Sequence, residues 1–230
     1  MEEGKIREKI VENWVSFLGK MPSLFLGLFL FAAGLVANLN SRLGMSPWGV
    51  LTIGLTNHVS LTFGQVSQLV GFAVLAIGWV LGFSPGMGTL ANMYFIGLFI
   101  DLIIAWGLIP VPDGLVLQFA MLFVSIALIG VGSYFYMRVR LGTGPRDGLM
   151  MGLVRRLDYP VAAVRGTLEV TVLAIGWLLG GPVGVGTVIN AFTLGLSVQT
   201  AFRLGGYDKN AEHTNLLKLF GYLSGKGSMP

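Results

Sequence analysis

Leu43-Gly-Met-Ser-Pro-Trp-Gly-Val-Leu51-Thr-Ile-Gly-Leu55 returns 98 positions later as Leu141-Gly-Thr-Gly-Pro-Arg-Asp-Gly-Leu149-Met-Met-Gly-Leu153. Leu, Gly, Pro, Leu, Gly and Leu hold the same places in both copies. The same offset carries Leu75-Ala-Ile-Gly-Trp79 onto Leu173-Ala-Ile-Gly-Trp177, and Gly86-Met-Gly-Thr89 onto Gly184-Val-Gly-Thr187. Laid over each other without a gap, 24–98 and 122–196 agree at 26 of 75 positions. Unrelated apolar stretches would agree at roughly a tenth. The chain is built on an internal duplication.

Its solvent is a bilayer. Hydrophobic residues make up 54% of the 230 and charged ones only 11%, against about a quarter in soluble domains. The 34 glycines suit spanning helices, whose backbones approach closely through small residues. A net charge of +4 does not indicate nucleic acid, because the basic residues flank apolar runs and form no stripe of their own. Cysteine is absent, which removes disulfides and thiolate chemistry. With only His58 and His213, no metal or haem cage and no cofactor is expected. No cleavage site follows the first apolar run, so that run is expected to be a retained span.

The N-terminal 1–21 reads as an interfacial unit. Over 4–20, Ile6, Ile10, Trp14 and Phe17 fall on one helical face, with Lys5, Arg7, Glu8, Lys9 and Glu12 over the rest. Such a helix lies along the membrane surface, and Pro22 is expected to end it. Six runs then have the length to cross about 30 Å of hydrocarbon, near 23–41, 64–82, 88–108, 115–138, 162–180 and 186–204. Each repeat, 22–110 and 115–205, holds three of them. Between its first and second span each repeat has a short segment opened by proline, near 47–57 and 145–156. Eleven helical residues reach only about 16 Å, so these are re-entrant or interfacial half-helices. The tail, 206–230, carries Leu216, Leu217, Leu219, Phe220 and Leu223, a second surface helix, before a Gly/Ser-rich, disordered end.

Charge sets the topology. With six spans and a cytoplasmic N-terminus, Arg138, Arg140, Arg146, Arg155, Arg156, Arg165, Arg203 and the tail lysines face the cytoplasm, and only Arg42 lies outside; eight spans would violate the positive-inside rule. Three spans per repeat make the second repeat enter from the opposite side. The expected fold is therefore an all-α polytopic membrane protein with six transmembrane helices in two inverted three-helix repeats, both termini cytoplasmic. Secondary transporters use this architecture, with sites near the midplane where broken helices meet.

Each candidate site has two readings. Gly44-Met45-Ser46-Pro47 and Gly142-Thr143-Gly144-Pro145 either aim half-helix N-termini at an anion or carboxylate, or are structural elbows. Arg146 and Asp147, with Arg155, Arg156 and Asp158, form either an anion-recruiting cytoplasmic mouth or a topology determinant. Asp101 and Glu169 are the only carboxylates inside spans, and an intramembrane carboxylate is a functional candidate for proton coupling or cation binding. Glu169 lies one turn past Arg165 and can instead pair with it; Asp101 has no neighbour in sequence to pair with. The repeat sets Asp101 against Gln199 and Glu169 against Gly71. Asn92 and Asn190 correspond, and either cap freed backbone or contact substrate. Gln65 and Gln68 either face the lumen or bond a neighbouring helix. Gly78-x-x-x-Gly82 and Gly176-x-x-x-Gly180 predict close helix crossing at the pseudo-two-fold axis or in a homodimer. Trp79 and Trp177, inside these patterns, read as packing or interface anchors.

The duplicated Leu-Gly-x-x-Pro elbow, the Leu-Ala-Ile-Gly-Trp segment and the Gly-x-Gly-Thr turn resemble the YczE/YitT-type group of bacterial integral membrane proteins, over roughly 22–205. The resemblance implies a bacterial inner-membrane protein and a transporter, with no substrate and no catalytic residues to carry over. The leading expectation is a secondary transporter or facilitator of a small solute, with the half-helices and spans two, three, five and six lining a central site and Asp101 or Glu169 binding a coupling proton. The alternative is a non-transporting accessory subunit or regulator. No acid, base and nucleophile cluster points to an enzyme.

Overall fold

A computed structural model describes residues 2–208 and 212–226, with side chains from Ile6 onward. Met1, residues 209–211 and the terminal 227–230, which include part of the Gly/Ser-rich end, lie outside the described residues, as does the side chain of Lys5. The described chain is helical: α1 (Glu2–Asn40), α2 (Pro47–Thr56), α3 (Phe63–Val80), α4 (Met87–Ala105), α5 (Leu115–Met137), α6 (Pro145–Leu157), α7 (Val161–Leu178), α8 (Val185–Leu204) and α9 (Leu216–Leu223). Among the described residues, α1, α3, α4, α5, α7 and α8 are long and apolar enough to cross a membrane.

Pro22 does not end the first helix. It lies inside α1, which runs unbroken for 39 residues, or about 58 Å, roughly twice a hydrocarbon core. The expected surface helix is thus the N-terminal extension of the first span. Partners hold it there: Asn13 Nδ2 donates to the Tyr222 carbonyl at 2.6 Å, and Phe17 is buried in the same cluster as Leu219 of α9.

The first helices of the two repeats form the centre. Gly27 of α1 abuts Gly132 and Tyr136 of α5, while Gly34 abuts Ser125 and Ile129. Rising numbers on one helix meet falling numbers on the other, so α1 and α5 cross antiparallel. Ser23 Oγ donates to the Phe135 carbonyl at 3.0 Å, and Asn38 Nδ2 to Ser125 Oγ at 3.3 Å. Glycines let these backbones touch, as small residues do where lipid gives no hydrophobic drive. α4 flanks α1 and α8 flanks α5.

The short helices are exchanged between repeats: α2 packs on α7, and α6 on α3. Gly176 lies against Val50 and Leu51, and Gly78 against Gly148 and Leu149. The small-residue pattern therefore receives a half-helix of the opposite repeat. Its second glycine is not part of a crossing face: Gly82 and Gly180 follow the helix ends with φ of 91° and 78°. Trp79 and Trp177 point outward, 69% and 62% exposed, as interface anchors do.

The two duplicated motifs also lock together. The Leu43 carbonyl accepts the Gly186 N–H at 2.6 Å, and the Leu141 carbonyl accepts the Gly88 N–H at 2.7 Å. Each elbow is thereby tied to the Gly-x-Gly-Thr turn of the other repeat. Gly44 and Gly142 hold φ of 101° and 127°, a region closed to most side chains, and a Cβ at either would strike the facing turn. Thr89 and Thr187 hydroxyls accept the Gly86 and Gly184 N–H groups at 3.1 and 3.2 Å, closing those turns.

Candidate functional site

Proline at N1 starts α2 and α6, and neither Ser46 nor Gly144 caps its helix through a side chain. The first-turn N–H groups are therefore free of side-chain caps, and both helix starts open on one cavity of about 520 Å³. Its walls match across the repeat: Phe31 with Ile129, Leu35 with Ser133, Pro47 with Pro145, Trp48 with Arg146, Gly71 with Glu169, Asn92 with Asn190, and Ile96 with Leu194. The cavity therefore lies where the repeats meet. It draws residues from α1 and α5 as well as from the expected half-helices and spans two, three, five and six.

Its charged lining residues, Arg146, Asp147, Arg165 and Glu169, all come from the second repeat. The Arg146 guanidinium stacks on the Trp48 ring, 4.7 Å from the centroid, a cation–π contact between equivalent positions. Arg165 Nε donates to Glu169 Oε1 at 3.1 Å, so the pairing that spacing allowed is formed, inside the cavity wall. Arg146 and Asp147 make no ion pair or side-chain hydrogen bond among the described residues. They line the cavity itself, whereas Arg155, Arg156 and Asp158 are exposed.

Asn190 is 1% exposed. Its Nδ2 donates to the Gly186 carbonyl at 2.8 Å and lies 3.5 Å from Asn38 Oδ1. Those two acceptors fix the amide orientation and leave Oδ1 without a partner. Buried acceptors are seldom left so. Capping of the turn belongs to Thr187, and the asparagine faces the cavity. Asn92, Gln199, Ser46, Pro47 and Pro145 also line it, while Thr143 does not.

Asp101 lies outside the cavity. Its carboxylate accepts the Thr62 hydroxyl at 2.5 Å and the Gly64 N–H at 2.9 Å, at the positive end of α3. Gly64 and Gly97 bring the α3 and α4 backbones together there, and Gln68 Nε2 donates to the Tyr94 carbonyl at 2.8 Å. Gln65, by contrast, caps its own helix at Thr62. The equivalent pair, α7 and α8, barely touches. Gln199, the counterpart of Asp101, faces the cavity, and Gly195, the counterpart of Gly97, has open space where a Cβ would be. One pair is clasped and its twin is parted.

Sequence reasoning passed over Trp48, Ser133 and Tyr136, which line the cavity. Trp48 was findable, since it is the repeat partner of Arg146. The tail beyond α8 is pinned to the second elbow: the Thr214 N–H donates to the Arg140 carbonyl at 2.8 Å and the Leu216 N–H to the Pro85 carbonyl at 3.0 Å. Between them, His213 Nε2 meets the Tyr207 hydroxyl at 2.8 Å, and burial holds the imidazole below its ordinary pKa.

Residues 18–203 match the model of DUF6198, a family of unknown function. The chain is 34% identical over 186 residues to an uncharacterised protein of Haemophilus influenzae, covering 81% of this chain and 84% of that one. It is 33% identical over 196 residues to the uncharacterised membrane protein YczE of Bacillus subtilis, covering 83% and 86%. YyaS of Bacillus subtilis is 25% identical over 170 residues, covering 71% and 83%. No solved structure matches. Six apolar helices and these relatives make the chain a multi-pass membrane protein that belongs to the DUF6198 family, alongside YczE.

Proposed function

We propose that this protein carries a small solute across the bacterial inner membrane by alternating access between two inverted repeats, with both termini in the cytoplasm. The observation that carries the reading is the contrast between equivalent helix pairs around a shared cavity. α3 and α4 are joined by Asp101 and by glycine contact, while α7 and α8 stand apart. In a transporter made of inverted repeats, each half takes in turn the conformation of the other, so such a difference is what one end-state looks like. The positive-inside rule puts the Asp101 clasp at the outer end of α3 and α4 and the gap between α7 and α8 at the inner end. The conformation is then inward-open, with Arg146, Asp147, Arg165 and Glu169 accessible from the cytoplasm. Closing α8 on α7 while releasing α4 from α3 would turn the site outward. Protonation of Asp101 would weaken its hold on Thr62 and Gly64, which gives the coupling proton a place at the gate.

The chain has no cysteine, so pairs can be introduced cleanly. Ala162→Cys with Gly195→Cys, the counterparts of Gly64 and Gly97, should crosslink when the inner gate closes. Locking that pair should abolish exchange of solute in proteoliposomes and restore it on reduction. A single separation for spin labels at these sites under every condition, together with no flux for any solute tried, would leave the accessory-subunit alternative.

A further inference from the structure

We infer that the solute is a small amphipathic zwitterion, its carboxylate held by Arg146 at the start of α6 and its ammonium by Asp147 and Asn190. The inference rests on reading the central cavity as the solute site. Arg146 and Asp147 are successive residues in the first turn of α6, so their side chains leave the helix about 100° apart. They form no ion pair with each other. Stacking on Trp48 occupies one face of the Arg146 guanidinium and leaves its in-plane N–H donors available for a bidentate partner. The backbone N–H groups of the same uncapped turn favour the same anionic end.

The opposite end has acceptors. Among the described residues Asp147 has no hydrogen-bond donor, and Asn190 Oδ1 is buried without one in the wall of the same cavity. Arg165 and Glu169 already neutralise each other. A lone anion would satisfy Arg146 and leave a like-charged Asp147 beside it; a lone cation would do the reverse. Arg146, Asp147 and Arg165 feel one another's charge, but either lone ion leaves one of the first two without a hydrogen-bonded partner in a half-buried site, which is costly. A solute with both charges leaves neither. The rest of the wall mixes apolar side chains, Phe31, Leu35, Ile96 and Ile129, with polar Asn92, Ser133 and Gln199, and about 520 Å³ leaves room for an amphipathic body as well as a headgroup, within the usual range of ligand sites.

Trp48 supplies the readout. In a protein with Trp14, Trp79, Trp106 and Trp177 replaced by Phe, its fluorescence reports directly on the cavity. L-phenylalanine and L-leucine should each give a saturable change. Their N-acetyl forms, which are anions, and their methyl esters, which are cations, should bind about tenfold or more weaker. Arg146→Gln should weaken the zwitterion by a similar factor, with part of the loss recovered by Arg146→Lys, and Asp147→Asn should act alike. The inference is overturned if neither amino acid gives a saturable change, or if a blocked form binds as tightly as its parent. Zwitterion binding without flux in vesicles would remove the transport reading and keep this site. Flux of an anion or a cation without zwitterion binding would do the opposite.

Discussion

Asp101 places a carboxylate where two donors and a helix dipole converge. Charge-assisted hydrogen bonds of this kind contribute roughly 1.5–3 kcal/mol each. Asp101→Asn keeps the shape and removes the charge, so it should loosen α3 from α4 by about 1–2 kcal/mol. Maleimide labelling of a cysteine at Gly97 should then be faster than in the parent, with the protein still monodisperse; unchanged labelling would show that the carboxylate does not hold the gate. His213 is a second titratable latch. Its folded pKa is depressed by burial, so the neutral form contributes stability above the unfolded value near 6.5. That stability is lost as pH falls below 6.5 and through the folded pKa, because the unfolded tail takes up the proton more readily. Arg140, also cationic, disfavours the charged ring further. Protease cleavage between α8 and α9 should accelerate from pH 7.5 to pH 5.5, and His213→Gln should flatten that dependence.

At the scale of elements, the elbow of one repeat and the glycine turn of the other are halves of one joint. Gly44→Ala combines a left-handed backbone position with a Cβ that would meet Gly184 and Thr187, and Gly142→Ala does the same against Gly86 and Thr89. Each should cost about 2 kcal/mol or more, read as a lower unfolding temperature in detergent, whereas alanine at Gly19, which has nothing within 4 Å, should not lower it. The elements themselves were legible in the sequence because apolar length and Pro or Gly punctuation are local signals. The half-helix from Pro145 and the spans from 64 and 186 begin within a residue of their expected places. Pro22 misled because a proline is a local signal, while the helix around it is held by distant partners, Tyr222 and the α9 core. The partners of Asp101 were not legible for the same reason: they lie 37 and 39 residues away, with no spacing to announce them. Asn190 does bond backbone, at the Gly186 carbonyl, while Thr187 closes the turn three positions earlier; that its Oδ1 stays without a partner is set by the packing and has no local signal.

For the whole molecule, the duplication carries more information than either copy. Reading the repeats as equals predicts the shared lining of the cavity; their departures from equality fall on its charged residues and on the Asp101 clasp. Trp48 against Arg146 makes one stacked pair at the junction. Gly71 against Glu169, and Ser67 against Arg165, put the ion pair of the cavity wall in one half only. Asp101 against Gln199 puts the clasp in the other. In the proposed alternating cycle such asymmetry would bias the two states, and replacing the bias should move the balance. Gln199→Asp paired with Pro160→Thr and Ala162→Gly copies the Asp101 clasp onto α7 and α8. If the two halves are alternate versions of each other, this triple variant should draw α8 onto α7 and shift the population toward the outward-facing form. In the cysteine-free background, a label at Met150 in the cavity wall should then become protected from reagents applied inside vesicles. It should at the same time become exposed to reagents applied outside. A protein whose accessibility stays on one side, clasp or no clasp, has a cavity that does not alternate.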